Sequence, residues 1–198
     1  MRTVRARDAA SLYAQPSPEL LRLAERGVLH RIAHGYYIVV PQDQVGRAWL
    51  PDLEAAAAGI ASAIHGADRA VLMGVSAARL HGVIPRALAT AVVAVPAQHR
   101  PITLVDRQAV VRFVQRDVDV LDAERVRTSL GGALVTTPEQ TVLDLARRPS
   151  LGDAEPDVRS AVAALYRRSD PGRLTELAGP QRLQAALRRA EGWVEEYR

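Results

Sequence analysis

The sequence predicts an α/β (α+β) chain in which a truncated N-terminal winged helix-turn-helix precedes a mixed sheet with helices and a helical C-terminal region. First, residues 17–40 have the pattern of a helix followed directly by a small hairpin, as in the second half of a winged helix-turn-helix. Second, short apolar runs alternate with helical patterns from residue 51 to 147. Third, the residues after 147 show helical periodicity and no strand pattern. We therefore expect a winged-helix-like module over 1–46 and an α/β domain with a helical tail over 47–198.

The predicted helix of the N-terminal module carries its own start and stop signals. Ser17 is a suitable N-cap, and Pro18 suits the first helical position. Gly27 can adopt the left-handed conformation that ends a helix. Residues 4–13 predict one short helix before this one. The bundle that usually supports a wing is therefore shortened at its start.

The hairpin and the positive charge of this module point to nucleic acid. Residues 29–33 and 36–40 have strand patterns, and His34-Gly35 can form the tight turn between them. Guanidinium groups suit phosphates and guanine edges. An ordinary helix and hairpin with solvated arginines is the alternative. The residues predicted to contact DNA are Arg5, Arg7, Ser17, Arg22, Arg26, Arg31, His34 and Tyr36.

Apolar periodicity and capping signals predict the remaining elements. The predicted helices cover 51–64, 76–81, 137–147, 157–168, 171–177 and 180–197, after a linker over 42–50. The predicted strands cover 70–73, 90–95, 102–105, 109–115, 125–129 and 133–136. Ser76 is expected to cap the second of these helices, and Thr137 to Gln140 form a capping box for the third. Gly131-Gly132 is the expected turn of the last hairpin.

Composition limits the classes of protein that this chain can represent. All 26 basic residues are arginine, which reflects codon bias, so we give little weight to the net charge of +4. Cysteine is absent, which excludes disulfides and thiolate metal sites. The N-terminus is too polar for a signal peptide, and no apolar run reaches the length of a membrane span. We expect a soluble, cytoplasmic protein with no membrane contact.

The residues give little support to catalysis. A P-loop requires lysine, and no serine lies in a G-x-S-x-G elbow. Asp117 and Asp119 form a D-x-D that can hold Mg²⁺, but two carboxylates on the solvent side of a strand fit equally well. His81 lies at a helix end, where a structural role is favoured. We expect no enzyme activity, no metal and no cofactor.

Three sequence blocks resemble AbiEi-type antitoxins, in the order that this family has them. Residues 27–37 (GVLHRIAHGYY) are similar to the wing pattern G-x-L-x-R-I-x-x-G-x-Y. Residues 74–83 (GVSAARLHGV) are similar to a helix with S-A-A-x-L-H-G. Residues 136–145 (TTPEQTVLDL) are similar to T-x-x-x-R-T-L-L-D-L, with Gln140 where the family often carries arginine.

The resemblance implies an antitoxin whose partner is a nucleotidyltransferase toxin acting on RNA acceptors such as tRNA. Such antitoxins silence the toxin directly or indirectly, and often repress their own promoter through the winged helix, which makes operator DNA a second expected partner. The short N-terminus departs from the family pattern and affects the promoter role more than neutralisation.

The toxin-binding surface is expected among acidic residues, because a nucleotidyltransferase presents cations to triphosphate and RNA. The candidate clusters are Asp117, Asp119, Asp122 and Glu124; then Asp153, Glu155 and Asp157; then Glu191, Glu195 and Glu196 with Trp193 as an anchor. The alternative for each cluster is a solvated face, with Trp193 closing the chain's own core.

Two other classes of function remain open. A free-standing winged-helix regulator predicts salt-dependent operator binding through Arg22, Arg26 and Arg31. An enzyme acting on nucleic acid or nucleotides predicts a metal-dependent activity that is lost on Asp117→Ala or His81→Ala.

Overall fold

The computed structural model describes residues 2–197 and confirms the predicted mixed α/β architecture. Within these residues the strands form a three-stranded and a six-stranded sheet. The strands are β1 (Thr3–Arg5), β2 (Leu29–Ala33), β3 (Tyr36–Val39), β4 (Val71–Leu72), β5 (Thr90–Val95), β6 (Ile102–Thr103), β7 (Val110–Gln115), β8 (Ala123–Thr128) and β9 (Gly131–Thr136). The α-helices are α1 (Pro16–Glu25), α2 (Leu53–His65), α3 (Val75–Leu80), α4 (Pro138–Arg147), α5 (Glu155–Tyr166), α6 (Pro171–Ala178) and α7 (Gln184–Glu196). Short 3-10 helices cover Ala6–Ser11, Gln42–Gln44 and Val118–Val120.

The N-terminal part contains the predicted helix and hairpin but begins differently. The single helix expected over 4–13 is wrong, because β1 precedes the 3-10 helix Ala6–Ser11. β1 pairs antiparallel with β3, with Thr3 opposite Ile38, so the sheet order is β1-β3-β2. This pairing satisfies backbone groups across a long sequence separation, and it overrides a local helical pattern.

The start of α1 also differs from the prediction. The helix begins at Pro16 with Gln15 at the N-cap, so Ser17 lies in the first turn and does not cap it. Proline at the first position has a φ suited to a helix and lacks an N–H that would otherwise be unpaired. Gly27 ends the helix with a φ of 72°, as expected.

The large sheet is mixed and has the order β6-β7-β5-β4-β9-β8. β5 pairs parallel with β7, and β4 pairs parallel with β9, whereas the other neighbours are antiparallel. Alternate residues of β5 point to opposite faces, so Val92 and Val93 belong to different hydrophobic clusters. Helix α2 covers one face and α4–α7 cover the other. The continuous apolar run of β5 is therefore buried on both sides, as its pattern predicts.

The N-terminal hairpin packs against the larger sheet and α2. Ile32, Ala33 and Ile38 share a buried cluster with α2. The N–H of Val105 donates to the carbonyl oxygen of Ile32 at 3.0 Å. This hydrophobic cluster contains residues from both sides of position 46. The division of the chain into two domains at that point stays a prediction.

Three local signals have different outcomes. Thr137 caps α4, because its Oγ1 accepts from the N–H of Gln140. Ser76 does not cap α3; it is buried in the first turn and its Oγ accepts from the N–H of Val92. The turn predicted at Gly131-Gly132 is wrong, since both residues belong to β9 and the turn lies at 129–130, where Leu130 is buried. Within residues 2–197, no helix is long and apolar enough to span a membrane.

Candidate functional site

Four residues that the sequence predicts at a DNA interface border one cavity at the start of α1. The cavity measures about 380 Å³, and its lining includes Arg5, Arg7, Ser17 and Tyr36. Arg5 on β1 lies opposite Tyr36 on β3, and Ser17 comes from the first turn of α1. The unpredicted β1–β3 pairing is therefore what brings these four residues together.

Arg5 is the less exposed of the two cations at this cavity. Its Nε and Nη2 donate to the carboxylate of Asp8 at 2.6 and 2.8 Å. The hydrogen bond from Arg5 holds the pKa of Asp8 below its usual value. The Nη1 of Arg5 is buried and has no hydrogen-bond partner within residues 2–197. Arg7 is exposed and its Nε lies 3.9 Å from the carboxylate of Asp8, so the cavity combines one buried N–H donor with one exposed cation.

The other predicted DNA-contacting residues lie outside the cavity. Arg22 on α1 donates to Glu19 at 2.8 Å, and Arg26 is exposed at the end of the same helix. The Nη2 of Arg31 lies 3.2 Å from the Nδ1 of His34 at the tip of the hairpin. The structure thus separates the predicted set into a cavity group and an exposed group.

Several carboxylates of the first and second acidic clusters have partners within the chain itself. Asp117 caps the 3-10 helix that follows it, and its Oδ1 accepts from the N–H of Asp119 at 3.2 Å. Burial raises the pKa of Asp122, but the hydrogen bonds from Arg173 and Thr137 and the charge of Arg173 together outweigh it, so the pKa lies below its usual value. Ion pairs engage Asp122 with Arg173 at 2.7 Å, Asp153 with Arg112 at 3.0 Å and Asp157 with Arg86 at 2.5 Å.

The third acidic cluster lies on α7 and divides into two parts. Trp193 packs against the core, and the guanidinium of Arg159 lies 5.6 Å from its ring centroid while donating to Glu196 at 3.0 Å. Glu191 and Glu195 are exposed, one turn apart, and border a cavity of about 270 Å³. Neither forms an ion pair with another residue of the described chain.

Sequence reasoning missed a buried polar network beneath the C-terminal helices. The Oδ1 of Asp144 on α4 accepts from Arg116 at 3.1 Å and from Gln140 at 3.2 Å. Gln181 binds both of these donors, at 2.9 Å to Arg116 and 2.6 Å to Gln140. Burial raises the pKa of Asp144 to about 6, although Arg116 opposes the change. The sequence signal is an acidic residue on the apolar face of a helix.

His81, which the sequence offered as a candidate for catalysis, and His30 both have hydrogen-bond partners. The Nε2 of His81 lies 2.8 Å from the carbonyl oxygen of Thr136, and the Nε2 of His30 lies 2.7 Å from the carboxylate of Asp106. Burial raises the pKa of Asp106, but hydrogen bonds from Arg107 and His30 outweigh it and hold the pKa below its usual value. Residues 2–197 contain no group of three or more metal-ligating side chains placed to hold an ion.

Comparison with known proteins places the chain in a family. The model of the AbiEi antitoxin C-terminal domain matches residues 69–192. The chain therefore belongs to the AbiEi antitoxin family. It has an antitoxin role in a toxin–antitoxin system, which implies a toxin as its partner.

A solved structure supports the fold independently. The RV2827C protein from Mycobacterium tuberculosis is similar with a TM-score of 0.65 and 19% sequence identity, over 98% of this chain and 72% of that one. At this identity the similarity concerns the fold alone. A search of curated proteins gave no match.

Proposed function

We propose that this antitoxin binds and neutralises a nucleotidyltransferase toxin that acts on tRNA. The family match over 69–192 carries the proposal, because it covers the large sheet and most of the C-terminal helices. The sequence blocks at 74–83 and 136–145 lie within the same region. Neutralisation is therefore assigned to the part of the chain that follows the N-terminal hairpin.

The exposed face of α7 is our proposed contact with the toxin. Glu191 and Glu195 present two carboxylates that form no ion pair within residues 2–197 and lie beside a cavity, and a nucleotidyltransferase offers a cationic cleft for triphosphate and RNA. Trp193 and Glu196 hold this helix in place through Arg159. Asp117 and Asp119 remain a second candidate, weaker because a capping role already explains Asp117.

The first test is co-purification of the full chain with the protein encoded by the neighbouring gene. We expect a stable complex on size-exclusion chromatography and loss of nucleotide transfer to tRNA. A transferase that forms no complex and keeps its activity would overturn direct neutralisation.

Charge reversal tests the proposed face of α7. The double variant Glu191→Arg with Glu195→Arg should weaken toxin binding at least tenfold in a titration, since it replaces two unpaired carboxylates with cations. Glu25→Arg is the matched control, because Glu25 is exposed on α1 in the other part of the chain. Equal affinities for the two proteins would remove this face from the interface.

We also propose operator DNA as a second partner, bound by a shortened winged helix. The order β1-β3-β2 beside α1, and the buried Nη1 of Arg5 that lacks an acceptor, support this proposal. Phosphate contacts make binding fall steeply with salt. Replacing Arg7 and Arg26 with Gln should weaken binding to the promoter and reduce its salt dependence, whereas Arg188→Gln on α7 should not. Unchanged binding by the double variant would contradict the assignment.

A further inference from the structure

Two adjoining cavities open beside β7, on the face of the sheet that carries α4. The outer cavity measures about 490 Å³ and lies between β7, the loop that precedes β6 and the loop that follows α4. The inner cavity measures about 100 Å³ and extends toward the end of α4. Both are lined by Val114, Gln115, Arg148 and Leu151. We call the two together the β7 cleft.

The β7 cleft is lined by arginines from two elements far apart in sequence. Arg112 on β7 and Arg116, the residue after the strand, alternate with Val114, so their side chains lie on the same face. Arg147 and Arg148 approach from the end of α4. Arg148 borders both cavities, and neither its guanidinium group nor that of Arg147 has an ion pair or hydrogen-bond partner in the described chain.

The neighbouring carboxylates only partly offset this charge. Asp153 pairs with Arg112 at 3.0 Å, and both side chains are substantially exposed, so solvent weakens their attraction. Asp144 compensates Arg116 in the interior. The two arginines at the end of α4 therefore leave an excess of positive charge at the cleft, which favours an anion.

The inner end of the β7 cleft holds a buried hydrogen-bond acceptor, so a molecule that fits the cleft must supply a donor as well as a negative charge. The Oδ2 of Asp144 is buried and has no hydrogen-bond partner within residues 2–197, and Asp144 lines the inner cavity. Most buried polar atoms are satisfied, so an unpaired carboxylate oxygen beside a cavity indicates a missing donor. A hydroxyl or amino group of a ligand can supply it.

We propose that the β7 cleft binds a small phosphate ester of mononucleotide size. Arg112 and Arg148 hold the phosphate, because guanidinium groups donate two parallel hydrogen bonds to its oxygens. A hydroxyl or amino group of the ester enters the inner cavity and donates to Asp144. The outer volume lies within the range of small-molecule sites. The inner cavity ends in the protein interior at Asp144, which suits a small ligand and not a continuous nucleic-acid strand.

The ligands can be tested on the full chain alone, without the toxin or DNA. Isothermal titration with AMP, CMP, ribose 5-phosphate and inorganic phosphate should give saturable binding of the esters and much weaker binding of phosphate. Equal binding of ribose 5-phosphate and the nucleotides would identify a sugar phosphate as the ligand class, and tighter binding of either nucleotide would identify a nucleotide. Binding of inorganic phosphate as tight as that of every ester, or no ester binding, would overturn the proposal.

Single-residue variants test whether the esters bind in the β7 cleft. Arg148→Gln should weaken ester binding at least tenfold, and because the exposed guanidinium of Arg148 has no partner within residues 2–197, we expect the variant to fold. Arg188→Gln removes the same charge from an exposed position on α7 and should leave binding unchanged. Asp144→Asn, once circular dichroism shows that it folds, should weaken the esters more than inorganic phosphate. Equal ester affinities for the Arg148 and Arg188 variants would refute the proposed site.

Discussion

The raised pKa of Asp144 makes a quantitative prediction about stability and pH. The carboxyl has a pKa of about 6 in the folded protein, against 3.8 for an unperturbed Asp. Between these values the native state holds a proton that the unfolded chain has lost, so stability falls as pH rises. The difference corresponds to about 3 kcal/mol in full, because one pKa unit equals about 1.4 kcal/mol. At pH 4.5 about 2 kcal/mol of this stabilisation is already in place, and almost none of it is left at pH 7.

Replacing Asp144 with Asn removes the titrating group and keeps a neutral side chain of similar shape. The assay is urea unfolding of the wild type and the variant at pH 7 and at pH 4.5. The free energy of unfolding of the wild type, minus that of the variant, should increase by about 2 kcal/mol from the higher to the lower pH. Asp8, Asp106 and Asp122 have lowered pKa values, but they are present in both proteins and cancel in the difference.

One result would contradict the raised pKa of Asp144. A difference between the two proteins that is the same at both pH values would mean that Asp144 is already ionised throughout this range. Arg116 would then outweigh burial, and the pKa of Asp144 would not be raised.

Three further predictions concern stability in urea at pH 7. Gly152→Ala should destabilise by about 2–3 kcal/mol, because its φ is 97° and the new Cβ would lie 2.4 Å from a methyl group of Val75; no loss would mean that the loop shifts freely. Thr137→Ala should cost about 1 kcal/mol through loss of the α4 cap, and Thr137→Ser should restore most of it; equal losses would assign the effect to packing. Asp106→Asn should cost about 1–3 kcal/mol through its hydrogen bonds, with a smaller loss at pH 3, because the unfolded wild-type chain takes up a proton there more readily than the native carboxyl does; a loss that does not depend on pH would contradict the lowered pKa.

The sequence predicts those elements whose signals are local. The strand Thr90–Val95 agrees at both ends, because a run of β-branched and small apolar residues buried on both faces has few alternatives. Helix α4 also agrees, since Thr137 and the following proline define its start through backbone chemistry alone. These are positions at which neighbouring residues determine the conformation without help from the rest of the fold.

The errors come from interactions across long sequence separations. β1 forms because β3 offers it a ladder of hydrogen bonds, and this pairing overrides the helical pattern of residues 4–13. The last hairpin turns two residues earlier than its glycines indicate, because the fold buries Leu130. The β7 cleft is invisible to a motif search for the same reason, as it joins Arg112 to Arg148 only after the strand and helix have packed.

Arginine content alone says little about function in this chain, because codon bias accounts for the absence of lysine. The structure makes the content informative by separating arginines with structural partners from those without. Arg79 pairs with the buried Glu54 at 2.8 Å, and Arg116 pairs with Asp144, so both have a structural role. Within the part of the chain that the structure describes, the guanidinium of Arg148 has no such partner, and it borders two cavities. An unpaired cation beside a cavity is free to bind an anion without breaking an existing ion pair, and this physical difference makes Arg148 the residue on which the phosphate-ester proposal depends.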